Sequence, residues 1–367
     1  MSNMKSYSSG ILKLEPTRVW RAYKGGKLLE EWHSAPNPQD GNFPEEWVAS
    51  AISARNPGRE TIPEEGLSRV SMPSGGPLLK DLIEQDPLSF LGREHFEKYG
   101  CNMAVLVKLI DSLSRLIIQV HPDKEFAKSV LSSDYGKTEA WYIIGGRQID
   151  GQDPYVLIGF KPGMTKETWR TLFEKQDIEG MLNALNKLSV KPGDVYLIEG
   201  GVPHAIGAGC FLIEIQEPTD YTLRVERKTQ QGIVFPDEHC HQGSGFDKMF
   251  DCFHYDCYTE AEVIKRWRLT PKLLSRDQSA EHWALIDSEA TELFEMQKVT
   301  VRQGFTQTMD GRYCIAVIAE GKGNIGSGDN KFDVCRGDLL FIPACLDTIY
   351  FEASGKPLEV ILCFPPK

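Results

Sequence analysis

The stretch that decides the fold is 116–146, which reads LIIQVHPDKEFAKSVLSSDYGKTEAWYIIGG. Its first segment, LIIQV, has the composition of a β-strand, and because side chains alternate across a strand, Gln119 and His121 are predicted to share one face. The second segment, KTEAWYII, repeats this arrangement with Lys137 and Glu139. An amide oxygen, an imidazole, a carboxylate and an ammonium are therefore expected to meet between two strands.

A second imidazole follows in GDVYLIEGGVPHAIG, residues 193–207. The Gly-Asp pair is expected to turn the chain into a short apolar strand, and the Gly-Gly pair to turn it out again before His204. Two neutral imidazoles, a carboxylate and an amide oxygen suit Zn²⁺, or less selectively Mn²⁺, Fe²⁺ or Co²⁺. A strand histidine taken alone is more often a hydrogen-bonded structural residue, so it is the combination that predicts a metal site. The predicted ligands are Gln119, His121, Glu139 and His204.

These segments resemble the two motifs of the cupin superfamily. QVH followed by GKTEAWYIIGG is similar to the first motif, with glutamine in place of its leading histidine. GDVYLIEGGVPH is similar to the second, with Glu199 where the family usually has proline. Within the cupins, QVHPDK, GKTEAWYI, GGVPHAIG and the TLR at 222–224 resemble class I mannose-6-phosphate isomerases, particularly the shorter bacterial form.

The resemblance covers most of the chain and implies a mainly β fold. It implies two cupin-type jelly-roll barrels, with a few short helices inserted in or packed on the N-terminal one. It also implies one Zn²⁺ per chain and an isomerase that interconverts mannose 6-phosphate and fructose 6-phosphate by proton transfer through an enediol. Arg224, which lies 20 residues after His204, stands where the family has an arginine treated as catalytic.

Lys137 is expected to point into the metal cavity because it precedes Glu139 by two residues on the same strand face. A buried ammonium needs an anionic partner, either Glu139 or a substrate phosphate, and Lys137 is predicted to bind substrate. For Arg224 the alternative is a surface salt bridge with Glu226 or Asp220. The general base is left open among four carboxylates, which are Glu199, Glu214, Glu217 and Asp220.

One position departs from the resembled family. Its usual motif has a serine that contacts the substrate phosphate, whereas this chain has Ile117 there, and an isoleucine side chain offers no hydrogen bond. Lys137, Arg224 or a residue on another loop would then have to bind the phosphate, and a non-phosphorylated sugar stays open as the substrate. The alternatives are therefore an isomerase of a related sugar and a cupin that binds sugar without turnover.

The chain is expected to divide near residue 255. Residues 1–255 are predicted to form the catalytic metal-binding domain, with an N-terminal extension and a helical insertion at about 164–190, and 256–367 a C-terminal cupin-like barrel. GDVYLIEGG and GDLLFIPAC match each other, and their alignment places Thr348 where the first copy has His204, so the second barrel is predicted to lack the metal. The insertion is predicted as two helices, the second with an apolar stripe of Met181, Leu182, Leu185 and Leu188.

A competing cluster of cysteine and histidine lies within 239–257. Its density is compatible with a structural zinc, but its spacing gives no paired two-residue Cys loops, and FDKMFDCF resembles an apolar helical segment of the isomerases. A second metal is therefore not predicted. The cluster consists of His239, Cys240, His241, Cys252, His254 and Cys257.

Composition limits the partners. The 367 residues carry a net charge of -11, which argues against a nucleic-acid or anionic-membrane partner but leaves room for a local basic pocket that binds a sugar phosphate. The N-terminal stretch has no apolar core of signal-peptide length, and nine cysteines without regular spacing fit reduced thiols. A cytoplasmic protein, monomeric or homodimeric, is expected.

Overall fold

The structure is a computed structural model that describes residues 7, 10–72 and 75–367. Residues 1–6, 8 and 9, where no signal-peptide core is expected, lie outside the described ranges. The strands are β1 (Leu12–Leu14), β2 (Thr17–Val19), β3 (Glu45–Val48), β4 (Leu106–Asp111), β5 (Gln119–Val120), β6 (Glu139–Gly146), β7 (Tyr155–Phe160), β8 (Leu185–Ser189), β9 (Val195–Ile198), β10 (His204–Ile206), β11 (Cys210–Gln216), β12 (Leu223–Arg224), β13 (Arg268–Leu269), β14 (Lys272–Arg276), β15 (Ala280–Ile286), β16 (Glu295–Val301), β17 (Gly304–Thr308), β18 (Cys314–Glu320), β19 (Lys322–Ser327), β20 (Asn330–Cys335), β21 (Leu339–Ile342), β22 (Thr348–Ala353) and β23 (Leu358–Phe364).

The helices are short. None of those in the described residues has the length and apolar character that crossing a membrane requires. They are α1 (Lys27–Trp32), α2 (Leu79–Gln85), α3 (Pro87–Leu91), α4 (Arg93–Tyr99), α5 (Lys124–Val130), α6 (Lys166–Lys175), α7 (Ile178–Asn183), α8 (Asp237–His241), α9 (Phe246–Met249) and α10 (Glu260–Trp267), with a 3-10 turn at Phe250–Cys252. The protein is therefore mainly β, as the sequence predicts.

The strands of the described residues form four antiparallel sheets. In the N-terminal part, sheet I has the order β13-β9-β6-β11-β4-β3-β2 and sheet II the order β12-β5-β10-β7-β8. In the C-terminal part, sheet III has the order β1-β21-β18-β23-β16-β15-β14 and sheet IV the order β17-β22-β19-β20. Each part thus contains one large and one small sheet.

The four largest apolar clusters of the described residues hold the layers together. One lies between sheets I and II, and another between sheets III and IV. The largest lies between sheets I and III, which pack back to back, so their central strands are buried on both faces and read as nearly continuous apolar runs such as CFLIEIQ and CIAVIAE. The fourth lies outside sheet II, where α5, α6 and α7 cover the sheet. This last core agrees with the helices predicted to pack on the N-terminal part.

Two strands cross the predicted domain boundary. β1 pairs with β21 in sheet III, and β13 pairs with β9 in sheet I. Each part therefore contributes a strand to the other's large sheet. The division into 1–255 and 256–367, with a metal-free second barrel, stays a prediction.

Two sequence predictions are wrong in detail. The second helix of the insertion ends at Asn183, and Leu185 and Leu188 lie on strand β8, paired with β7. Leu185 packs in the core outside sheet II and Leu188 in the core inside it, because residues three apart on a strand face opposite ways. The strand LIIQV is reduced to β5, since the N–H of Ile118 donates to the carboxylate of Glu226 at 2.6 Å instead of to a strand carbonyl.

Candidate metal centre and active-site cavity

Three side chains of the predicted ligand set meet between sheets I and II. His121, Glu139 and His204 each offer a ligand atom, and these atoms lie within 4.8 Å of one another. His121 Nε2 is 3.0 Å from Glu139 Oε2, and His204 Nε2 is 3.4 Å from Glu139 Oε1. All three residues are 1% exposed or less. They are brought together by β6 on one side and by β10 and the end of β5 on the other.

Hydrogen bonds on the far side of each imidazole fix its tautomer. Nδ1 of His121 lies 2.9 Å from the carbonyl oxygen of Tyr221, and Nδ1 of His204 lies 2.9 Å from that of Val202. A carbonyl accepts only, so Nδ1 carries the proton and Nε2 of each ring turns a lone pair toward Glu139. Burial lowers the pKa of both rings, that of His121 to about 3. Both imidazoles are therefore neutral and able to bind a metal.

Gln119 completes the predicted set. It pairs with His204 across β5 and β10, and its Nε2 lies 3.4 Å from Nε2 of His121 and 3.2 Å from Nε2 of His204. Rotating an amide by half a turn exchanges its oxygen and its nitrogen. An amide oxygen is therefore available beside the two imidazole lone pairs.

The residues present fit a divalent cation. Two unprotonated ring nitrogens and a carboxylate repel one another at these distances unless a positive charge lies among them. Lys137 supplies one, because its Nζ lies 2.6 Å from Nε2 of His121 and 2.6 Å from Oε2 of Glu139. Burial works to raise the pKa of Glu139, but the charge of Lys137 holds it well below its usual range. The donor types are those of borderline metals such as zinc.

A cavity with about 660 Å³ of empty space, part of it open to solvent, lies beside this cluster and is lined by both Gln119 and Lys137. Its polar wall includes the buried pair Lys108 and Glu214, whose Nζ and Oε1 are 2.8 Å apart. Oε2 of Glu214 accepts a hydrogen bond from the indole of Trp141 at 3.3 Å. Burial, together with the charge of Glu139, raises the pKa of Glu214.

Arg224 lines the same cavity from β12, next to Gln119 in sheet II. Its Nη1 donates to the carbonyls of Thr222 and His239, at 3.0 and 2.7 Å. Among the described residues no carboxylate forms a salt bridge with it, and burial lowers its pKa to about 10. The salt bridges weighed as the alternative are taken by other arginines. Glu226 is bound by Arg115, and Asp220 by Arg21.

The structure separates the four candidate bases. Glu199 is half exposed and bound to Arg266 outside this cavity. Glu217 is buried and accepts the N–H of Thr138, but it does not line the cavity. Asp220 lines it, and although burial works to raise its pKa, Arg21 holds it well below the usual range, which makes it a weak base. Glu214 remains as the cavity carboxylate with a raised pKa.

Several cavity residues were missed by the sequence analysis. Only Lys108 could have been found from the sequence, because it is the single cation inside the largely apolar stretch AVLVKLIDS. Arg21 and Glu45, which are joined by a 2.9 Å ion pair, carry no such signal. Trp47 is fully buried and packs against both Arg21 and Lys108.

The cysteine and histidine cluster of 239–257 is dispersed. Within the described ranges, the only group of three or more ligand-type side chains is His121, Glu139 and His204. Cys240 packs in an apolar cluster with Ile117 and Phe235. No disulfide joins any of the nine cysteines, all of which are described.

Four antiparallel sheets, two of which enclose a buried His-Glu-His cluster, define a cupin-type β protein with a candidate metal site. The model of the type I phosphomannose isomerase catalytic domain matches residues 60–139. The mannose-6-phosphate isomerase ManA of Bacillus subtilis is 34% identical over 260 residues, which cover 70% of this chain and 74% of ManA. The mannose-6-phosphate isomerase of Streptococcus mutans is 27% identical over 298 residues, covering 79% of this chain and 84% of that one. This chain belongs to the type I phosphomannose isomerase family.

The coverage of the relatives varies. The match to GmuF of Bacillus subtilis is 32% identical over 229 residues and spans 63% of GmuF. The crystal structure of mannose 6-phosphate isomerase from Bacillus subtilis superposes with a TM-score of 0.72 and 24% identity, covering 97% of this chain and 99% of that one. A mutant of phosphomannose isomerase from Salmonella typhimurium gives a TM-score of 0.69 at 14% identity. These two structures share the fold with this chain.

Proposed function

We propose that this chain is a metal-dependent isomerase that interconverts mannose 6-phosphate and fructose 6-phosphate. The observation that carries the proposal is the buried cluster of His121, Glu139 and His204 beside a cavity lined by charged side chains. Gln119 is proposed as the fourth ligand, and zinc as the one metal ion per chain, because neutral imidazole and carboxylate donors suit it. When bound, the ion supplies Lewis-acid stabilisation, worth several kcal/mol, for negative charge on the sugar oxygens.

Glu214 is proposed as the base that moves the proton between C1 and C2. Its Oε1 is held by Lys108 at 2.8 Å, so the carboxylate has a fixed orientation in the cavity wall. Its raised pKa supports the role, because a base works best when its pKa lies near the working pH. Lys108 offsets the charge of Glu214 before the proton arrives and loses part of that interaction afterwards.

Arg224 and Lys137 are proposed to contact the substrate. Arg224 is a buried cation that has no acidic partner within the described ranges, so an oxyanion of the substrate or of the enediolate is the partner that its position favours. Lys137 can extend from the ligand cluster into the cavity that it lines. Water is excluded from the ligand cluster, since Trp141 and both imidazoles are fully buried or nearly so.

A second candidate is an isomerase of a non-phosphorylated sugar. The observation in its favour is the apolar side of the cavity, where Ile117 and Phe235 are joined by Ala22. Side chains of this kind do not bind a phosphate. Arg224 stacks on Phe235, however, and so a cation reaches the same end of the cavity.

An assay of both sugars separates these candidates. The purified protein is expected to form fructose 6-phosphate from mannose 6-phosphate, with a kcat/KM at least about 100-fold above that for free mannose. Glu214→Gln is expected to lower kcat and to retain the metal, whereas Glu217→Gln, a buried control outside the cavity, leaves kcat unchanged. Equal turnover of both sugars would support the second candidate, and no turnover of either would leave a sugar-binding cupin.

A further inference from the structure

The chain that follows Arg224 folds back onto its guanidinium. Lys228 and Val234 form an antiparallel bridge, and the N–H of Phe235 donates to the carbonyl of Arg227 at 2.9 Å. This closed turn places the Phe235 ring against Arg224, with the guanidinium carbon 5.1 Å from the ring centroid. One short segment, 224–235, therefore carries both the arginine and the ring that covers it.

The backbone contacts of Arg224 all involve one nitrogen. Nη1 donates to the carbonyls of Thr222 and His239, and neither Nε nor Nη2 donates to any atom of the described residues. A guanidinium binds an oxyanion best through two parallel N–H groups. With Nη1 engaged, the edge formed by Nε and Nη2 is the one available to a ligand in the cavity.

The ring of Phe235 takes the place of a counter-ion. A buried guanidinium without a carboxylate is costly, and an aromatic face stabilises a cation, with the larger effect where both groups are desolvated. Phe235 is 6% exposed and packs on Ile117, Ala22 and Cys240, so its own position is fixed. A carboxylate at this place would bind the Nε and Nη2 edge that the substrate needs, whereas an aromatic face leaves that edge available.

We infer that Phe235 is a positioning residue for Arg224, whose Nε and Nη2 it holds toward an anionic group of the substrate. The inference rests on the proposed function for the identity of that group. It adds a residue that acts through a cation–π contact and that does not touch the reacting atoms.

Four variants test the inference. Phe235→Leu keeps an apolar side chain but removes the ring face, and it is expected to lower kcat/KM on the order of tenfold. Phe235→Tyr keeps the face and is expected to restore kcat/KM to within about threefold of the wild type. Phe341→Leu, a fully buried phenylalanine in the core between sheets I and III, is the matched control and leaves kcat/KM unchanged. In an Arg224→Met background, Phe235→Leu is expected to cost nothing further.

The test depends on whether the effects of Phe235→Leu and Arg224→Met on kcat/KM are additive. If Phe235→Leu lowers kcat/KM equally in the wild type and in Arg224→Met, the ring does not act through the arginine and the inference is wrong. Loss of activity in Phe235→Tyr equal to that in Phe235→Leu also overturns it, because the face is present in the tyrosine variant.

A binding measurement keeps this result separate from the proposed function. Inorganic phosphate is titrated calorimetrically into the wild type, Arg224→Met, Phe235→Leu and Phe341→Leu. Phosphate affinity is expected to fall in Arg224→Met and, on the order of tenfold, in Phe235→Leu, but not in Phe341→Leu. A wild type that binds phosphate in this way but isomerises no sugar phosphate contradicts the proposed function alone. Unchanged affinity in Phe235→Leu, where Arg224→Met weakens binding, contradicts the inference alone.

Discussion

The ammonium of Lys137 lies 2.6 Å from Nε2 of His121, the ring nitrogen that carries no proton. The same ammonium is 2.6 Å from Oε2 of Glu139. Lys137 thus uses the lone pairs that a metal ion needs, and its charge repels the ion as well. A metal ion held by these donors would take the place of the ammonium, and the Lys137 side chain would then be able to turn into the cavity that it lines.

Lys137→Met is therefore expected to bind Zn²⁺ more tightly, on the order of tenfold or more. The metal-free variant is expected to be less stable than the metal-free wild type, because the clustered acceptors lose their cation. Competition with a chelator gives the affinity, and thermal unfolding with and without metal gives the stability. Lys108→Met is the control, because Lys108 is equally buried and does not contact the ligands. Weaker Zn²⁺ binding in Lys137→Met than in the wild type would contradict this displacement.

Glu139→Gln is expected to abolish metal retention. The substitution keeps the size of the side chain but removes the one negative charge among the three clustered donors. Elemental analysis after gel filtration measures the metal per chain. Glu217→Gln removes a buried carboxylate outside the cavity and is expected to keep the metal. Stoichiometric metal in Glu139→Gln would show that the ion is bound elsewhere.

Arg224→Ala is expected to keep the metal but to lower turnover by on the order of 100-fold or more, as loss of a buried charge that stabilises an oxyanion does. Metal analysis and steady-state kinetics on one preparation measure both quantities. An Arg224→Ala protein with full activity would remove this arginine from the mechanism.

The stability of the protein is expected to depend on pH through Asp111, a residue outside the cavity. Burial raises its pKa to about 6 from 3.8, although Arg147 and two backbone N–H groups oppose the shift. The stabilisation by the protonated form is therefore complete below about pH 4 and is lost as the pH rises through about 6, a change on the order of 3 kcal/mol. Asp111→Asn should remove this loss from the free energy of unfolding measured between pH 4 and 7.

The exposed Asp150 provides the control for that comparison. Asp150→Asn is expected to follow the wild-type pH curve. If Asp111→Asn and the wild type had parallel curves, the carboxyl group of Asp111 would titrate near its unfolded value and the expectation would fail.

The ligand cluster could be predicted because it depends on short-range patterns. Strand alternation places Gln119 beside His121 and Lys137 beside Glu139, and a glycine turn leads into His204. The same patterns cannot show that Arg21 binds Asp220, since that pair joins residues far apart in the chain. Phe235 could not be assigned to Arg224 for a similar reason, because the turn at 228–234 decides where the ring lies.

The errors in the secondary structure arise where tertiary contacts override the local pattern. Leu185 and Leu188 are three residues apart, a spacing that suits one face of a helix, but a strand covered by apolar layers on both sides accepts it equally well. The prediction for LIIQV could not anticipate that a carboxylate from Glu226 would take the N–H of Ile118. In both cases tertiary packing decides the structure.

The central claim is that a metal ion held by His121, Glu139, His204 and Gln119 is required for sugar isomerisation. The most direct test measures metal content and fructose 6-phosphate formation on the same samples, before chelation, after chelation and during stepwise return of Zn²⁺. The account predicts that activity disappears with the metal and returns in proportion to bound Zn²⁺, reaching its maximum at one ion per chain. Full activity in protein that elemental analysis shows to be metal-free would contradict it.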